Sequence, residues 1–516
     1  MLFIALYITN DIRVLFAADC RLCNRLHTEL ACTLNLTIDR EKPTTTLFIM
    51  TTATIRSGTI NLLNTIIGAG ILAMPYGIKQ NGLILGCLLI TWSACTSAFG
   101  LYLQNKVAKY VDQRGSVLYF SLSQLTYPHL SVVFDGAIAI KCFGVGVSYL
   151  VVIGDLMPKI METLKVDGES VLMARNFWIS LFMAVLVVPL SYLKKLDSLK
   201  YTSVVALFSV AYLICLVVGH TIANDVEATA HVKRAVAEGV HWGPLSFLGT
   251  LRSFPVFVFA YTCHQNMFAI INELKAHETS GSQTRQSNII IRNAIATACT
   301  SYLVVGLCGY ISFGSKVTGN IVAMYPTDSI LSLIGRLCIV IMVSLSFPLQ
   351  CHPCRGSINH IIYFISNGIH DIKSQSGYQQ IEDMGEEVNV EEVDELFITT
   401  TPMEGAHDTD GHDPMIVPLS KRNFYIITTF IVVLAYLVAI TVTSLEHVLA
   451  FVGSTGSTSI SFILPGLFGY MLIQRTDGPL DKLERFCKYG GLALSIWGVV
   501  VMVVCLGATI FLGATH

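Results

Sequence analysis

The stretch from Arg56 to Gly82 reads RSGTINLLNTIIGAGILAMPYGIKQNG and is long and apolar enough to cross a membrane as a helix. A hydrocarbon layer of roughly 30 Å needs about 20 apolar residues in a helix. Gly68, Gly70 and Pro75 lie near its middle, and both residue types weaken a helix. Unwound backbone at that depth is tolerated only where it is buried in protein or lines a cavity. The stretch therefore predicts a membrane helix that is broken at a ligand site, although closely spaced glycines also serve close helix packing.

The rest of the 516-residue chain has the composition of a membrane protein. Hydrophobic residues make up 53% of it and charged residues only 13%, about half the roughly 25% that soluble domains carry. The net charge of −2 gives no reason to expect nucleic acid as a partner. Apolar runs of the required length predict an all-α membrane protein with eleven transmembrane helices. The runs lie at residues 56–78, 82–104, 130–157, 176–193, 201–222, 246–271, 289–313, 329–351, 423–445, 448–473 and 490–513.

The distribution of lysine and arginine predicts the orientation of these helices. With the N-terminus in the cytosol, the links on the cytosolic side, together with Arg292 at the start of the run 289–313, carry 17 Lys or Arg, and the opposite links carry seven. Cytosolic loops of membrane proteins carry the excess of positive charge. The sequence therefore predicts a cytosolic N-terminus.

Two segments differ in composition from the predicted membrane domain, which covers residues 51–516. Residues 1–50 begin with a short apolar run that is followed by polar sequence, and we expect a poorly ordered N-terminal extension. Residues 371–414 contain thirteen Asp or Glu against one Lys, and a segment of that composition stays solvated. We expect an acidic, disordered cytosolic loop there, inserted in the membrane domain.

Three motifs carry a resemblance to a known family. They are NLLNTIIGAGILAMP (residues 61–75), DGAIAIKCFGVGVSYLVVIGDLMP (residues 135–158) and SFPLQCHPCRGS (residues 346–357). These motifs resemble those of the amino acid/auxin permease family of amino-acid transporters. Within that family, the chain is similar to the fungal vacuolar amino-acid transporters and to the sodium-coupled neutral amino-acid transporters. The resemblance excludes residues 1–50 and the acidic loop.

The resemblance implies a LeuT-like fold, in which two inverted repeats of five helices are followed by one extra helix. The sixth span is then the counterpart of the first, and it carries Pro255 and a polar stretch at residues 261–266. Interrupted spans at matching positions of the two halves point to a substrate site near the membrane midplane. We expect the backbone at Gly68, Ala69 and Gly70 to bind the substrate carboxylate.

Side chains of both interrupted spans complete the predicted substrate site. We expect Tyr261, Thr262 and His264 to line the wall opposite the glycines. Asn64 is expected to bind substrate from the first span. Asn61 lies three residues before Asn64 and hence on the same helix face.

The resemblance also bears on the coupling ion. In the sodium-coupled relatives an Asn that matches Asn61 acts on sodium and substrate together with a hydroxyl of the eighth span. For this chain that implies a cation-coupling role for Asn61 with Ser344 or Ser346. His264 is a second coupling candidate, because histidine titrates near neutral pH. We expect protons rather than sodium as the coupling ion, and no cofactor or bound metal. The alternative is that Asn61 and the serines only form hydrogen bonds between helices.

Charged residues inside the spans are costly and need partners. Asp135 and Lys141 lie six residues apart on the third span and therefore face different directions, so each needs a partner on another helix. Asp155 is expected to lie near the end of the same span. Arg252 and Arg336 lie near span ends, and we expect their charged groups to extend to water.

The sequence thus predicts a secondary active transporter of neutral or polar amino acids, with the amino-acid substrate and the lipid bilayer as its partners. The predicted non-cytosolic loops contain no cysteine and no N-x-S/T acceptor site, which favours a vacuolar or lysosomal membrane over the cell surface. We expect flow from the lumen to the cytosol by alternating access.

Two alternatives remain: an amino-acid-sensing membrane receptor with little flux, and sodium-coupled uptake at the plasma membrane. An enzyme is disfavoured, because the chain has no H-E-x-x-H, G-x-S-x-G or P-loop motif.

Overall fold

The computed structural model describes residues 55–110, 117–193, 200–223, 239–275, 282–375, 419–473 and 480–513. Every regular element within these ranges is a helix, which confirms the predicted all-α class. The membrane helices are, in chain order, α1a (Ile55–Ile66), α1b (Met74–Asn81), α2 (Leu83–Val107), α3 (Ser131–Thr163), α4 (Arg175–Ser191), α5 (Lys200–Ala223), α6a (Phe247–Ala260), α6b (His264–Lys275), α7 (Ser282–Phe313), α8 (Ile330–Gln375), α9 (Lys421–Thr441), α10 (Leu445–Leu472) and α11 (Lys482–Gly513).

The chain is a multi-pass membrane protein. Nine of these helices, including α6 taken as one span, are each long and apolar enough to cross a membrane. The two halves of α1 form a further span that is bent by 49°. The predicted fourth span is a shorter apolar helix, α4. The described residues therefore contain ten spans of full length, and the count of eleven stays a prediction.

The first and the sixth helices are both interrupted inside the bundle. A short 3-10 turn (Ala69–Ala73) separates α1a from α1b, and three residues separate α6a from α6b. These two helices are the first of each set of five, so the positions of the breaks are those of the LeuT-like arrangement. Among the described full-length spans α6 is the most enclosed and α11 the most exposed. The residues of both breaks, Ala69–Ala73 and residues 261–264, are buried, so the two breaks lie in the interior of the protein.

The prolines of the two interrupted helices lie at different positions relative to the breaks. Pro75 lies in the first turn of α1b, where its missing N–H costs no helical hydrogen bond. Pro255 lies inside α6a, and the helix continues through it to Ala260. The polar stretch that begins at Tyr261, and not the proline, therefore marks the break of α6.

The prediction that Arg336 extends to water is wrong. Its side chain is fully buried (0% exposed). The guanidinium donates hydrogen bonds to the backbone carbonyls of Val322 and Tyr325. These carbonyls lie at the end of a one-turn helix (Ile321–Met324), and a helix C-terminus favours a nearby cation. Arg336 therefore anchors the link between α7 and α8 from inside the bundle.

The charged residues of α3 find partners on other helices, as the sequence predicts. His360 Nδ1 lies 3.5 Å from the Asp135 carboxylate, and Gln350 Oε1 lies 3.5 Å from Lys141 Nζ. Both partners belong to α8, which packs along α3 over most of its length. At the other end of α3, Asp155 lies 3.7 Å from the Arg175 guanidinium.

Two predicted segments lie largely outside the described residues. Residues 371–375, the beginning of the predicted acidic loop, form the end of α8. The remainder of that loop and the predicted N-terminal extension, residues 1–50, are not among the described ranges. Both assignments stay predictions, as does the cytosolic N-terminus.

Candidate functional site

The break of α1 leaves two backbone donors without a partner. The N–H of Gly68 turns back to the carbonyl of Ile66 at 3.1 Å. The N–H groups of Ala69 and Gly70, in contrast, donate to no other described residue. They open the 3-10 turn, and the N-terminal end of a helical segment favours an anion. This backbone suits a small carboxylate, which is the ligand predicted for it; the binding itself stays a prediction.

The two glycines of this break have different surroundings. A β-carbon placed on Gly70 would lie 2.8 Å from Ala260 Cβ, which is too close for unbonded carbons. A β-carbon on Gly68 would meet only the Tyr149 hydroxyl, at 3.4 Å, which is an ordinary contact. Gly70 is therefore required for the contact between the two broken helices, and Gly68 borders a space that reaches Tyr149.

The break of α6 is held open by side chains of α2 and α10. The Ser97 hydroxyl of α2 donates to the carbonyl of Tyr261 at 3.0 Å. The Ser461 hydroxyl of α10 donates to the Thr262 hydroxyl at 3.2 Å, and Thr262 donates in turn to the carbonyl of Val258 at 2.8 Å. Thr262 is thus engaged in fixing the break, and it retains one acceptor position for a ligand.

His264 is the first residue of α6b and is fully buried (0% exposed). Its Nε2 lies 3.2 Å from the carbonyl of Ser97. A carbonyl only accepts, so Nε2 carries the hydrogen and Nδ1 is the acceptor of the neutral imidazole. Nδ1 has no hydrogen-bond partner within the described ranges. This nitrogen is a buried hydrogen-bond acceptor at the break of α6 that no described residue satisfies.

The hydroxyl of Tyr302 on α7 joins the two breaks. It lies 2.8 Å from the carbonyl of Ile66, the last residue of α1a. It also lies 2.8 Å from the carbonyl of Ala260, the last residue of α6a. The side chain is fully buried, and its ring meets the Tyr261 ring edge-on, with 5.0 Å between the centroids. Tyr261, the predicted wall residue, therefore forms part of the same cluster.

Tyr149 and Tyr302 are the site residues that the sequence did not single out. Both are buried in apolar helices, and both occur in the same pentapeptide, Ser-Tyr-Leu-Val-Val. A buried tyrosine hydroxyl usually has a polar partner, so a phenol in the middle of a membrane span was an available signal. Their surroundings were hidden in the sequence, because the Tyr149 hydroxyl lies near Gly68 of α1 and the Tyr302 hydroxyl lies at the ends of α1a and α6a.

The predicted asparagines lie on α1a, ahead of its break. Asn61 and Asn64 are half-buried, and neither amide makes a hydrogen bond to another described residue. One turn of helix nearer the break, the Thr65 hydroxyl accepts a hydrogen bond from the Asn266 amide of α6b at 2.8 Å. That bond ties the half-helices α1a and α6b together. The amides of Asn61 and Asn64 remain available for a ligand.

The structure does not bring the predicted cation-coupling residues Asn61, Ser344 and Ser346 close together. The hydroxyls of Ser344 and Ser346 on α8 each donate to a carbonyl one turn earlier in the same helix, at 2.6 and 2.7 Å. α1a packs mainly on α7, and its contacts with α8 are sparse. In this conformation Asn61 is therefore not packed against the α8 serines, and a shared cation site stays a prediction.

The two breaks bring both ends of half-helices to one region. The C-terminal ends of α1a and α6a carry partial negative charge, while the N-terminal ends of the 3-10 turn and α6b carry partial positive charge. A zwitterion whose cation and anion are separated by one carbon fits such an arrangement. The geometry therefore suits the ammonium and carboxylate groups that α-amino acids share.

Comparison with known proteins agrees with this geometry. The family described as "Transmembrane amino acid transporter protein" matches residues 51–504. Similar proteins from Saccharomyces cerevisiae are Vacuolar amino acid transporter 6, 44% identical over 465 residues, and Vacuolar amino acid transporter 5, 40% identical over 484. Each alignment covers 89% of this chain and 99% of the relative. The putative sodium-coupled neutral amino acid transporter 11 of Bos taurus is 27% identical over 59% of this chain and 62% of its own length. As its three motifs predict, the chain belongs to the transmembrane amino acid transporter family, whose members are transporters and not enzymes.

Proposed function

We propose that this chain moves neutral or polar amino acids from the lumen of a vacuole or lysosome to the cytosol, by alternating access and coupled to protons. The observation that carries the proposal is the meeting of two helix breaks. The free N–H groups of Ala69 and Gly70 suit the substrate carboxylate, and the last carbonyls of α1a and α6a suit its ammonium group. Family membership supports amino acids as the substrate class.

The preference for uncharged side chains rests on the hydrogen bonds at the breaks. No carboxylate, lysine or arginine takes part in those that the described residues make there. A positively charged substrate side chain would therefore be buried without an opposite charge, which is costly, and the buried Lys141 lies close enough to Cys263 and His264 to interact with them electrostatically. Polar side chains have the amides of Asn61 and Asn64 and the hydroxyl of Thr262 as partners.

The compartment and the coupling ion are proposed together. The two yeast relatives carry vacuolar names and align with nearly their whole length, which favours an internal, acidic membrane. Such a membrane maintains a proton gradient that can drive export. Nδ1 of His264 is a buried acceptor at the break of α6 that no described residue satisfies, which makes His264 our candidate proton carrier.

Purified protein in liposomes tests the proposal directly. Uptake of labelled neutral, acidic and basic amino acids is measured with and without a pH gradient, and with sodium or choline at constant pH. We expect uptake of neutral and polar amino acids, stimulated when the side that corresponds to the lumen is acidic, and unaffected by sodium. A sodium requirement would replace the proton as coupling ion. Binding of amino acids without flux would instead favour a receptor.

A further inference from the structure

The hydroxyl of Tyr302 cannot fully satisfy both of the hydrogen-bond acceptors beside it. It lies 2.8 Å from each of two carbonyl oxygens, those of Ile66 and Ala260. A phenol has a single hydrogen, so it can donate fully to only one of them at a time. Each of these carbonyls is also the last of its half-helix, where the helix dipole adds partial negative charge. The position between them is therefore more favourable for a cation with several donors than for a hydroxyl.

A primary ammonium group has these properties. It carries a positive charge and three N–H donors, so it can bond both carbonyls at once and retain a third donor. The free N–H groups of Ala69 and Gly70 follow Ile66 by only three and four residues. An α-amino acid whose carboxylate binds these N–H groups therefore brings its ammonium group toward the Ile66 carbonyl.

We propose that the hydroxyl of Tyr302 occupies the position of the substrate's α-ammonium group in the substrate-free carrier, and that the substrate displaces it on binding. This inference rests on the proposed function, because it requires an α-amino acid as substrate. It assigns to Tyr302 a role that differs from simple packing: the hydroxyl stands in for the ligand when the site is empty.

The consequence concerns the return step of the transport cycle. A carrier that performs net transport must close and reorient without substrate. In that empty form both carbonyls are buried. The Ile66 carbonyl also accepts from the Gly68 N–H at 3.1 Å, but the Ala260 carbonyl has no donor other than Tyr302 among the described residues, and a buried carbonyl without a donor is unfavourable. Tyr302 supplies the donor, so its hydroxyl lets the empty carrier close. When substrate is present on both sides, exchange never passes through the empty form and does not need this hydroxyl.

The variant Tyr302→Phe removes the donor and keeps the ring. Two fluxes are compared in liposomes, using whichever of L-asparagine, L-serine and L-glutamine the wild-type protein transports fastest. One is net uptake into empty vesicles, and the other is exchange into vesicles preloaded with the same amino acid. We expect net uptake to fall about tenfold, the scale of one unsatisfied buried polar group, while exchange stays within about twofold of wild type. Half-saturation of exchange should occur at a lower substrate concentration, because the ligand no longer competes with the hydroxyl.

Tyr310→Phe is the matched control on the same helix. Tyr310 is also fully buried, but its hydroxyl accepts from the N–H of His241 and donates to the carbonyl of Gly239, away from both breaks. Loss of this hydroxyl should lower net uptake and exchange equally, or neither of them. If Tyr302→Phe is not recovered folded, Tyr302→Leu, which also lacks a donor, takes its place in the same comparison.

The outcomes separate this inference from the proposed function. A wild-type protein that neither takes up nor exchanges amino acids contradicts the proposed function itself. If the wild-type protein transports and Tyr302→Phe loses net uptake and exchange to the same extent, or loses neither, the stand-in role of Tyr302 is wrong. A thermal-unfolding measurement gives an independent reading: the same amino acid should raise the unfolding temperature of Tyr302→Phe more than that of the wild type, and an equal or smaller rise contradicts the proposal.

Discussion

Gly70 and Ala260 form the contact at which the two broken helices touch. A β-carbon on Gly70 would come within 2.8 Å of Ala260 Cβ and 2.9 Å of Ala260 Cα. The second of these is a backbone atom, so the overlap cannot be relieved by a side-chain rotation. The close approach of the α1 break to the end of α6a therefore depends on the absence of a side chain at residue 70.

We expect Gly70→Ala to separate the two breaks and to abolish transport. Overpacking at a buried contact costs typically about 1–3 kcal/mol, so the purified protein should also unfold at a lower temperature. Gly136→Ala on α3 is the control, because a β-carbon there meets nothing within 4 Å. A Gly70→Ala protein that is as stable and as active as the wild type would show that the two helices separate readily at this point.

Gly68→Val should have a different effect from Gly70→Ala. A β-carbon at residue 68 meets only the Tyr149 hydroxyl, at 3.4 Å, so we expect protein yield and membrane targeting to persist. The valine side chain would fill the space beside the free N–H groups, and transport should fall at least about tenfold, the loss expected for one blocked binding contact. Uptake at the wild-type rate would mean that substrate does not pass Gly68.

His264→Gln tests the proton-carrier role at the break of α6. A glutamine amide can still donate to the carbonyl of Ser97, which His264 Nε2 now contacts at 3.2 Å, so the local structure should be kept. Glutamine does not titrate, so we expect substrate binding to remain while the dependence of uptake on pH becomes flat. Uptake is measured over a pH series with the gradient held constant. An unchanged pH profile would exclude His264 as the carrier.

Deletion of residues 376–414 should leave transport close to the wild-type level. The sequence there is dominated by acidic residues and has no apolar periodicity, and the same reasoning applies to a deletion of residues 2–49. Deletion of the one-turn helix Ile321–Met324, which Arg336 anchors, is the contrasting case and should abolish uptake. Loss of specific activity in a correctly targeted 376–414 deletion would indicate that the acidic segment acts in gating or regulation.

The sequence by itself determined the class of the protein and the place of its first break. Spans follow from hydropathy because each membrane helix must satisfy its backbone within itself, whatever its neighbours are. Gly68 and Gly70 predicted the interruption of α1 for an equally local reason, since glycine weakens a helix. The three motifs then indicated the family, which the match to residues 51–504 confirms.

Only the tertiary structure decided which polar groups meet at the breaks. The hydroxyl of Tyr302 reaches the ends of α1a and α6a from a third helix, and no local pattern encodes a bond across 236 residues of sequence. Arg336 is a second example. Its position near a span end predicted that its charged group extends to water, whereas its guanidinium donates hydrogen bonds to backbone carbonyls of the link between α7 and α8. Hydropathy determines how deep a residue lies in the membrane, but the direction in which its side chain points depends on how the helices pack. That packing is a property of the whole bundle, because each polar group in it needs a partner from another part of the chain.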